Sequence, residues 1–227
     1  MFGLQIKYLS FFFGLISILS FFNIIYSYYF NLYLNLDTYY YTLVSSFILF
    51  LLFYKFGNNK NKLNIFDKIL TVFLGYLFIP FILSIPFYFS IYNITFINSY
   101  FESISGFTST GFTIFENIKL IDQSLILWRS SIQWIGGLFF LFFLIIIFSN
   151  KSFNFKMTNF SYSGENNFKS KENIKDNILR IFIIYSVLSI IILTLLNFSG
   201  LRLFNSLNLS MTLISGGGLL PTDNINK

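Results

Sequence analysis

Two stretches of this chain place glycine beside small hydroxyl residues directly after a short segment of mixed apolar and small polar character. One is Phe101-Glu102-Ser103-Ile104-Ser105-Gly106-Phe107-Thr108-Ser109-Thr110-Gly111-Phe112-Thr113; the other runs from Phe204-Asn205-Ser206 to Ile214-Ser215-Gly216-Gly217-Gly218-Leu219. Glycine lets the backbone take positive φ and turn a carbonyl toward an axis. A row of such carbonyls can replace the hydration shell of a monovalent cation. Serine and threonine add hydroxyl oxygens, and a short helix ending at the loop adds the partial negative charge of its C-terminus. Neither loop contains a carboxylate, and Glu102 sits back within the preceding segment. Outside loops and flexible tails use the same residue types. The recurrence of the pattern brings the ion-coordinating reading level with that plainer one, and the residues alone leave both open.

Loops of this kind act at membrane depth only if the flanking elements cross a bilayer. The composition supports that: 55% of residues are hydrophobic, 22% aromatic and 11% charged, with mean hydropathy +0.69. Five apolar runs approach the ~20 residues that span as helix. They are Tyr8 to Phe30, Thr38 to Phe56, Phe66 to Ser90 with Pro80 and Pro86 inside, Gln123 to Phe148, and Asn177 to Phe198. The runs are continuous rather than alternating, which argues against a β-barrel. Lys7 followed by Tyr8–Leu19 imitates a cleaved leader, but the apolar stretch is too long and no small-x-small site follows, so a retained helix is expected. The segment before each glycine loop is too short to span and long enough to dip in and return.

The chain has no Cys and no His. Disulfides, thiolate metal sites and the commonest general base are therefore excluded, and an enzyme is not expected. Eleven of the 15 basic residues fall on one side of the expected spans: Lys7; Lys55, Lys60, Lys62 and Lys68; Lys151, Lys156, Lys169, Lys171, Lys175 and Arg180. Lys119, Arg129, Arg202 and Lys227 fall on the other. The asymmetry predicts a cytoplasmic N-terminus and explains the net charge of +6 without nucleic acid.

The polar loop 150–176 separates two similar units. Asp67-Lys68-Ile69-Leu70 aligns with Asp176-Asn177-Ile178-Leu179, and Phe73 and Tyr76 align with Phe182 and Tyr185. Asp67 to Gly111 is 44 positions and Asp176 to Gly217 is 41, and each unit runs in the order span, half-length helix, glycine loop.

The segment Phe101 to Gly111 resembles the first pore loop of the TrkH-type potassium transporters, within the Trk/Ktr superfamily. Trp128-Arg129-Ser130-Ser131-Ile132-Gln133-Trp134-Ile135-Gly136-Gly137, 17 positions on from Gly111, is similar to the start of that family's next helix. Gly216-Gly217-Gly218-Leu219 stands where the second loop of the family has Thr-Gly-Gly-Phe. The resemblance implies an all-α membrane protein with five transmembrane helices and two re-entrant half-helices carrying filter loops. It forms part of a four-unit pore fold, whose third and fourth units are absent from these 227 residues. The implied segments are 1–60, two N-terminal helices; 61–149, a first helix–loop–helix unit; 150–176, a basic cytoplasmic linker; and 177–227, a second unit without its closing helix.

The transported ion would be K⁺, with no covalently bound cofactor. Thr108, Ser109, Thr110, Gly111 and Phe112 in the first loop, and Ile214, Ser215, Gly216, Gly217 and Gly218 in the second, would line its path. The carbonyls of Ser109, Thr110, Ser215 and Gly216 would lie nearest the ion. Trp128, Arg129, Gln133, Trp134, Gly136 and Gly137 read as support: the tryptophans as interface anchors or packing on the half-helix, Arg129 as a partner for Glu102, Glu116 or Asp122 near the outer surface. The resemblance further implies a bacterial cytoplasmic membrane, a homodimer and a peripheral nucleotide-binding regulatory subunit. The competing expectation is a truncated, non-conducting remnant of such a transporter.

Overall fold

A computed structural model describes residues 6–57, 65–148 and 174–221. Among them are eight α-helices: α1 Ile6–Tyr29, α2 Leu36–Phe56, α3 Ile65–Leu83, α4 Ile85–Tyr88, α5 Phe96–Phe107, α6 Gln123–Phe148, α7 Ile174–Phe198 and α8 Leu203–Ser215. Five stretches are long and apolar enough to cross a membrane: Tyr8–Tyr29, Leu36–Phe56, Phe66–Tyr88, Gln123–Leu144 and Ile178–Phe198. They match the five runs read from hydropathy. The expected linker 150–176 lies outside the described residues through position 173.

The first two helices form a hairpin with a short turn. Gly14 lets Phe50 approach, at 3.3 Å from where a β carbon would stand, and Phe13 packs edge-on against Phe53. Serines repeat along α1, with Ser10, Ser17, Ser20 and Ser27 all buried. Small side chains of this kind let membrane helices approach closely, since no hydrophobic force draws them together in lipid. The other face of α1 meets α6, where Phe12 packs edge-on against Phe139 and Phe142.

The third span is not one continuous helix. Pro80 stays inside α3, but α3 stops at Leu83, and Pro86 enters the first turn of α4 behind the N-cap Ser84. A proline in a first turn loses no hydrogen bond, because that N–H would be unpaired anyway. The break frees the Leu83 carbonyl, and the Trp128 indole of α6 donates to it at 3.1 Å.

The N-terminal end of α6 is tied to the hairpin by a buried polar cluster. Asn23 Nδ2 donates to the Ser124 carbonyl, Tyr39 donates to Ser124 Oγ at 3.0 Å, and Ser124 Oγ donates to Asp122 at 2.6 Å. Asn35 bridges Asp122 and the Ile91 amide, and Tyr92 accepts from the Asp122 amide at 2.7 Å. The N-terminal pair thus fixes the height of α6, on which both short helices rest.

Candidate functional site

Helices α5 and α8 contain 12 and 13 residues. At 1.5 Å per residue each is about 20 Å long, short of a ~30 Å hydrocarbon core. Both end against the middle of α6. A β carbon on Gly136 would collide with the Phe107 carbonyl at the end of α5, and one on Gly137 would stand 2.9 Å from Ser215 Cα at the end of α8. Two adjacent glycines therefore seat two helix C-termini on one spanning helix.

The backbones leave the two helices in the same way. Ser109 and Gly216 both take positive φ, 56° and 69°. Ser109 N donates to Gly106 O and Gly216 N to Leu213 O; Thr110 N donates to Ser105 O and Gly217 N to Thr212 O. A hydroxyl on each helix then reaches across its own loop: Ser105 Oγ donates to Phe112 O at 2.5 Å and Thr212 Oγ1 to Leu219 O at 3.2 Å. These bonds pair Ser109 with Gly216, Thr110 with Gly217, Gly111 with Gly218 and Phe112 with Leu219. The spacings from Asp67 and Asp176, 44 and 41 positions, leave this register open; the hydrogen bonding of the turn sets it.

The loops also meet each other. Gly111 has φ +79°, and a β carbon there would lie 2.7 Å from Gly218 Cα. The two glycines are in van der Waals contact, with no cation-sized gap between them. Among the described residues no donor satisfies the carbonyls of Ser109, Thr110 or Gly111, or those of Ser215 to Gly218. The Phe112 carbonyl accepts from Ser105 Oγ.

The first loop is held by charge. Arg129 Nε donates to Glu102 Oε1 at 2.8 Å, and both residues are buried, at 2% and 1% exposed. The carboxylate also accepts from the Ile114 amide at 3.0 Å and from Thr113 Oγ1 at 3.1 Å, and Thr113 Oγ1 accepts from Arg129 Nη2 at 2.9 Å. Of the three partners expected for Arg129, Glu102 is the one found, and the pair is buried within the protein. Glu102 and Thr113 were absent from the expected site residues. The signal that could have found them is a lone acid inside an apolar short helix, which needs a partner.

The second loop is held by an amide. With its side chain oriented to satisfy both ends, Gln133 donates to Thr212 Oγ1 at 3.0 Å and accepts from Leu219 N at 3.0 Å and Gly218 N at 3.3 Å. Trp134 Nε1 donates to Ser189 Oγ of α7 at 2.8 Å, and Tyr185 donates to the Trp134 carbonyl. Trp128 is fully buried and caps the end of α3, and Trp134 packs on α7 against Phe182 and Tyr185.

Beneath both loops lies a cavity of about 380 Å³, lined by Ser109, Ser215 and Gly216 together with Tyr76, Phe140 and Tyr185. The C-termini of α5 and α8 border it, so the partial negative charge of two helices converges there.

Residues 40–224 match the family described as TrkH, cation transport protein. An uncharacterized cation transporter of Methanocaldococcus jannaschii is 30% identical over 166 residues, covering 73% of this chain and 34% of that protein. The Trk system potassium uptake protein TrkH of Escherichia coli K12 is 25% identical over 170 residues, covering 72% of this chain and 35% of that protein. The crystal structure of the potassium transporter TrkH from Vibrio parahaemolyticus superposes with a TM-score of 0.76 at 19% identity, over 98% of this chain and 45% of that one. That likeness is one of fold. The chain spans about a third of the length of the curated relatives it matches.

Proposed function

The chain belongs to the TrkH family of cation transport proteins, and from that premise we propose that it supplies two pore units of a K⁺ uptake pathway across the cytoplasmic membrane. In this reading α5 and α8 are re-entrant half-helices. Thr108–Phe112 and Ile214–Gly218 are filter strands, and the cavity below them receives the ion. The observation that carries the reading is the row of carbonyls without donors, from Ser109 to Gly111 and from Ser215 to Gly218, at the mid-length of a spanning helix. Unsatisfied backbone at that depth has to be buried in protein or line water. The Phe112 carbonyl accepts from Ser105 and keeps a second lone pair for an ion.

Two loops in contact at Gly111 and Gly218 cannot surround a cation. A polypeptide of these 227 residues alone is therefore proposed not to conduct, and conduction would require further loops of the same kind. The test of that half is growth of a potassium-uptake-deficient cell at low K⁺: no rescue by this polypeptide is expected, and robust rescue with purified protein of unchanged mass overturns it. The test of the filter is Gly111→Ser in the complete pore, read as Rb⁺ uptake under Na⁺ competition and normalised to membrane protein. Lower uptake or weaker discrimination against Na⁺ is expected. An unchanged rate and an unchanged competition would remove Thr108–Phe112 from the ion path.

Orientation and partners belong to the same proposal. The basic asymmetry supports a cytoplasmic N-terminus, although Arg129, buried in its ion pair, carries no weight as a topology signal. A cysteine at Asn167 should be protected from an impermeant reagent in whole cells while one at Asn224 reacts; both positions lie outside the described residues. Homodimerisation and a peripheral nucleotide-binding subunit rest on family likeness.

A further inference from the structure

Gln133 stands on α6, the closing helix of the first unit, yet every bond of its amide goes to the second. The side chain is fully buried. It meets the Gly218 and Leu219 amides and the Thr212 hydroxyl at 3.0 to 3.3 Å. Gly217 makes room for it, since a β carbon there would come within 2.5 Å of the amide carbon.

Within its own unit the second loop has one side-chain hold, the Thr212 hydroxyl on the Leu219 carbonyl, fewer than the first loop has. The positions that in the first loop carry Glu102, Ser109 and Thr110 are here Leu209, Gly216 and Gly217. The first loop is stiffened by Thr110 Oγ1 meeting Ser105 Oγ at 3.1 Å and by the Glu102 carboxylate. Three successive glycines have no side chain to do the same, and each loses more conformational freedom on ordering than any other residue.

We propose that Gln133 is the positioning residue of the second loop, setting the register of the Ser215–Gly218 carbonyls from the neighbouring unit and so acting as a determinant of cation selectivity. The proposal rests on the reading of these loops as ion-coordinating. It makes the two units interdependent: one face of α6, with Arg129, Ile132 and Gly136, serves the first loop, and the adjoining face, with Gln133 and Gly137, serves the second.

The first measurement is hydrogen exchange of the purified chain, ¹⁵N-labelled at glycine and leucine, in lipid nanodiscs. Gln133→Leu should speed exchange of Gly218 and Leu219 about tenfold or more, the loss of at least one buried hydrogen bond. Amides of α1, α2 and α5 should keep their wild-type rates. Unchanged rates at Gly218 and Leu219, or an equal rise everywhere, overturn the proposal, since the latter is the mark of a merely structural side chain. Gln133→Glu guards against a variant that fails to fold. Burial favours its neutral acid, which keeps a carbonyl acceptor for both amides and an O–H donor for Thr212, so Gly218 should stay within about threefold of wild type. If Gly218 exchanges freely in that variant, the amide contacts are not what holds the loop.

The second measurement is the Rb⁺ over Na⁺ uptake ratio of the complete pore, which Gln133→Leu should lower about tenfold. A ratio that stays at the wild-type value while exchange rises overturns the selectivity claim. A wild-type pore without any such discrimination counts against the ion-coordinating reading itself, and the exchange result then stands apart from it.

Discussion

In the first loop, the strand that follows Gly111 is tied to a buried carboxylate inside its own unit. Glu102 holds the Ile114 amide and Thr113, and Arg129 neutralises it. In the second loop the matching strand is tied to a neutral amide from the unit before it, with Leu209 where the acid would be. The backbone turns agree bond for bond, down to a positive φ at Ser109 and Gly216. One trace can therefore be held in two physically different ways. A charged clamp is strong but fails badly when half of it is removed, because a buried charge is left behind. An amide clamp is weaker and can be removed without leaving a charge. The first loop should thus be the stability-critical one, and the second the more easily tuned.

The largest break in that comparison is Arg129→Leu. It strands the Glu102 carboxylate and should cost about 3–5 kcal/mol, against about 1–3 kcal/mol for Gln133→Leu. Thermal unfolding in detergent, with both variants side by side, checks the order. Equal losses would mean that the two clamps do not differ in kind.

Next come the paired glycines of α6. Gly136→Ala drives a methyl into the Phe107 carbonyl, a backbone atom that moves only with the end of α5. Gly137→Ala first meets the Tyr185 hydroxyl at 2.6 Å, the far end of a side chain, and then Ser215 at 2.9 Å. Overpacking of this kind costs about 1–3 kcal/mol, and the first-loop variant should sit at the upper end. A lower melting temperature for Gly137→Ala than for Gly136→Ala would reverse the assignment of the stiffer seat.

The contact between the loops gives a smaller and more local asymmetry. Gly111→Ala combines a left-handed φ of +79° with a methyl 2.7 Å from Gly218 Cα. Gly218→Ala places its methyl 3.4 Å from Gly111 Cα, ordinary contact. The first should be less stable than the second by about 1–2 kcal/mol or more, again read from thermal unfolding.

The smallest effect belongs to Gly106→Ala within α5. Its methyl would meet the Ile132 side chain at 2.9 Å, which can shift, and alanine favours the helix by about 1 kcal/mol. A net change below about 1 kcal/mol and unaltered Rb⁺/Na⁺ competition are expected. A change in competition would place Gly106 on the ion path.

Hydropathy located the five spans to within a few residues because apolar run length is a local property of the chain, and lipid leaves a helix as the only way to satisfy each backbone. The short helices and the Gly–Ser–Thr loops were legible for the same reason: they are gaps in that pattern. Pro86 shows the limit of this reading. A proline in a span predicts a disturbance, and only the fold decided that α3 ends at Leu83 and that Trp128, 45 positions away, caps it. The register of the repeat, Gly111 with Gly218, was invisible to spacing because the turn bonds fix it and they depend on one hydroxyl per helix. The ten residues from Trp128 to Gly137 read as one motif. The helical period of 3.6 residues divides them: Arg129, Ile132 and Gly136 turn toward α5, Gln133 and Gly137 toward α8. The amino-acid sequence by itself determined which segments are long and apolar enough to cross a membrane and where the short helices and glycine loops fall, since both follow from side-chain polarity and size along the chain. Which side chain holds which loop was decided by tertiary structure alone, because a buried charge or amide takes whichever partner the packing of neighbouring helices brings within hydrogen-bond reach.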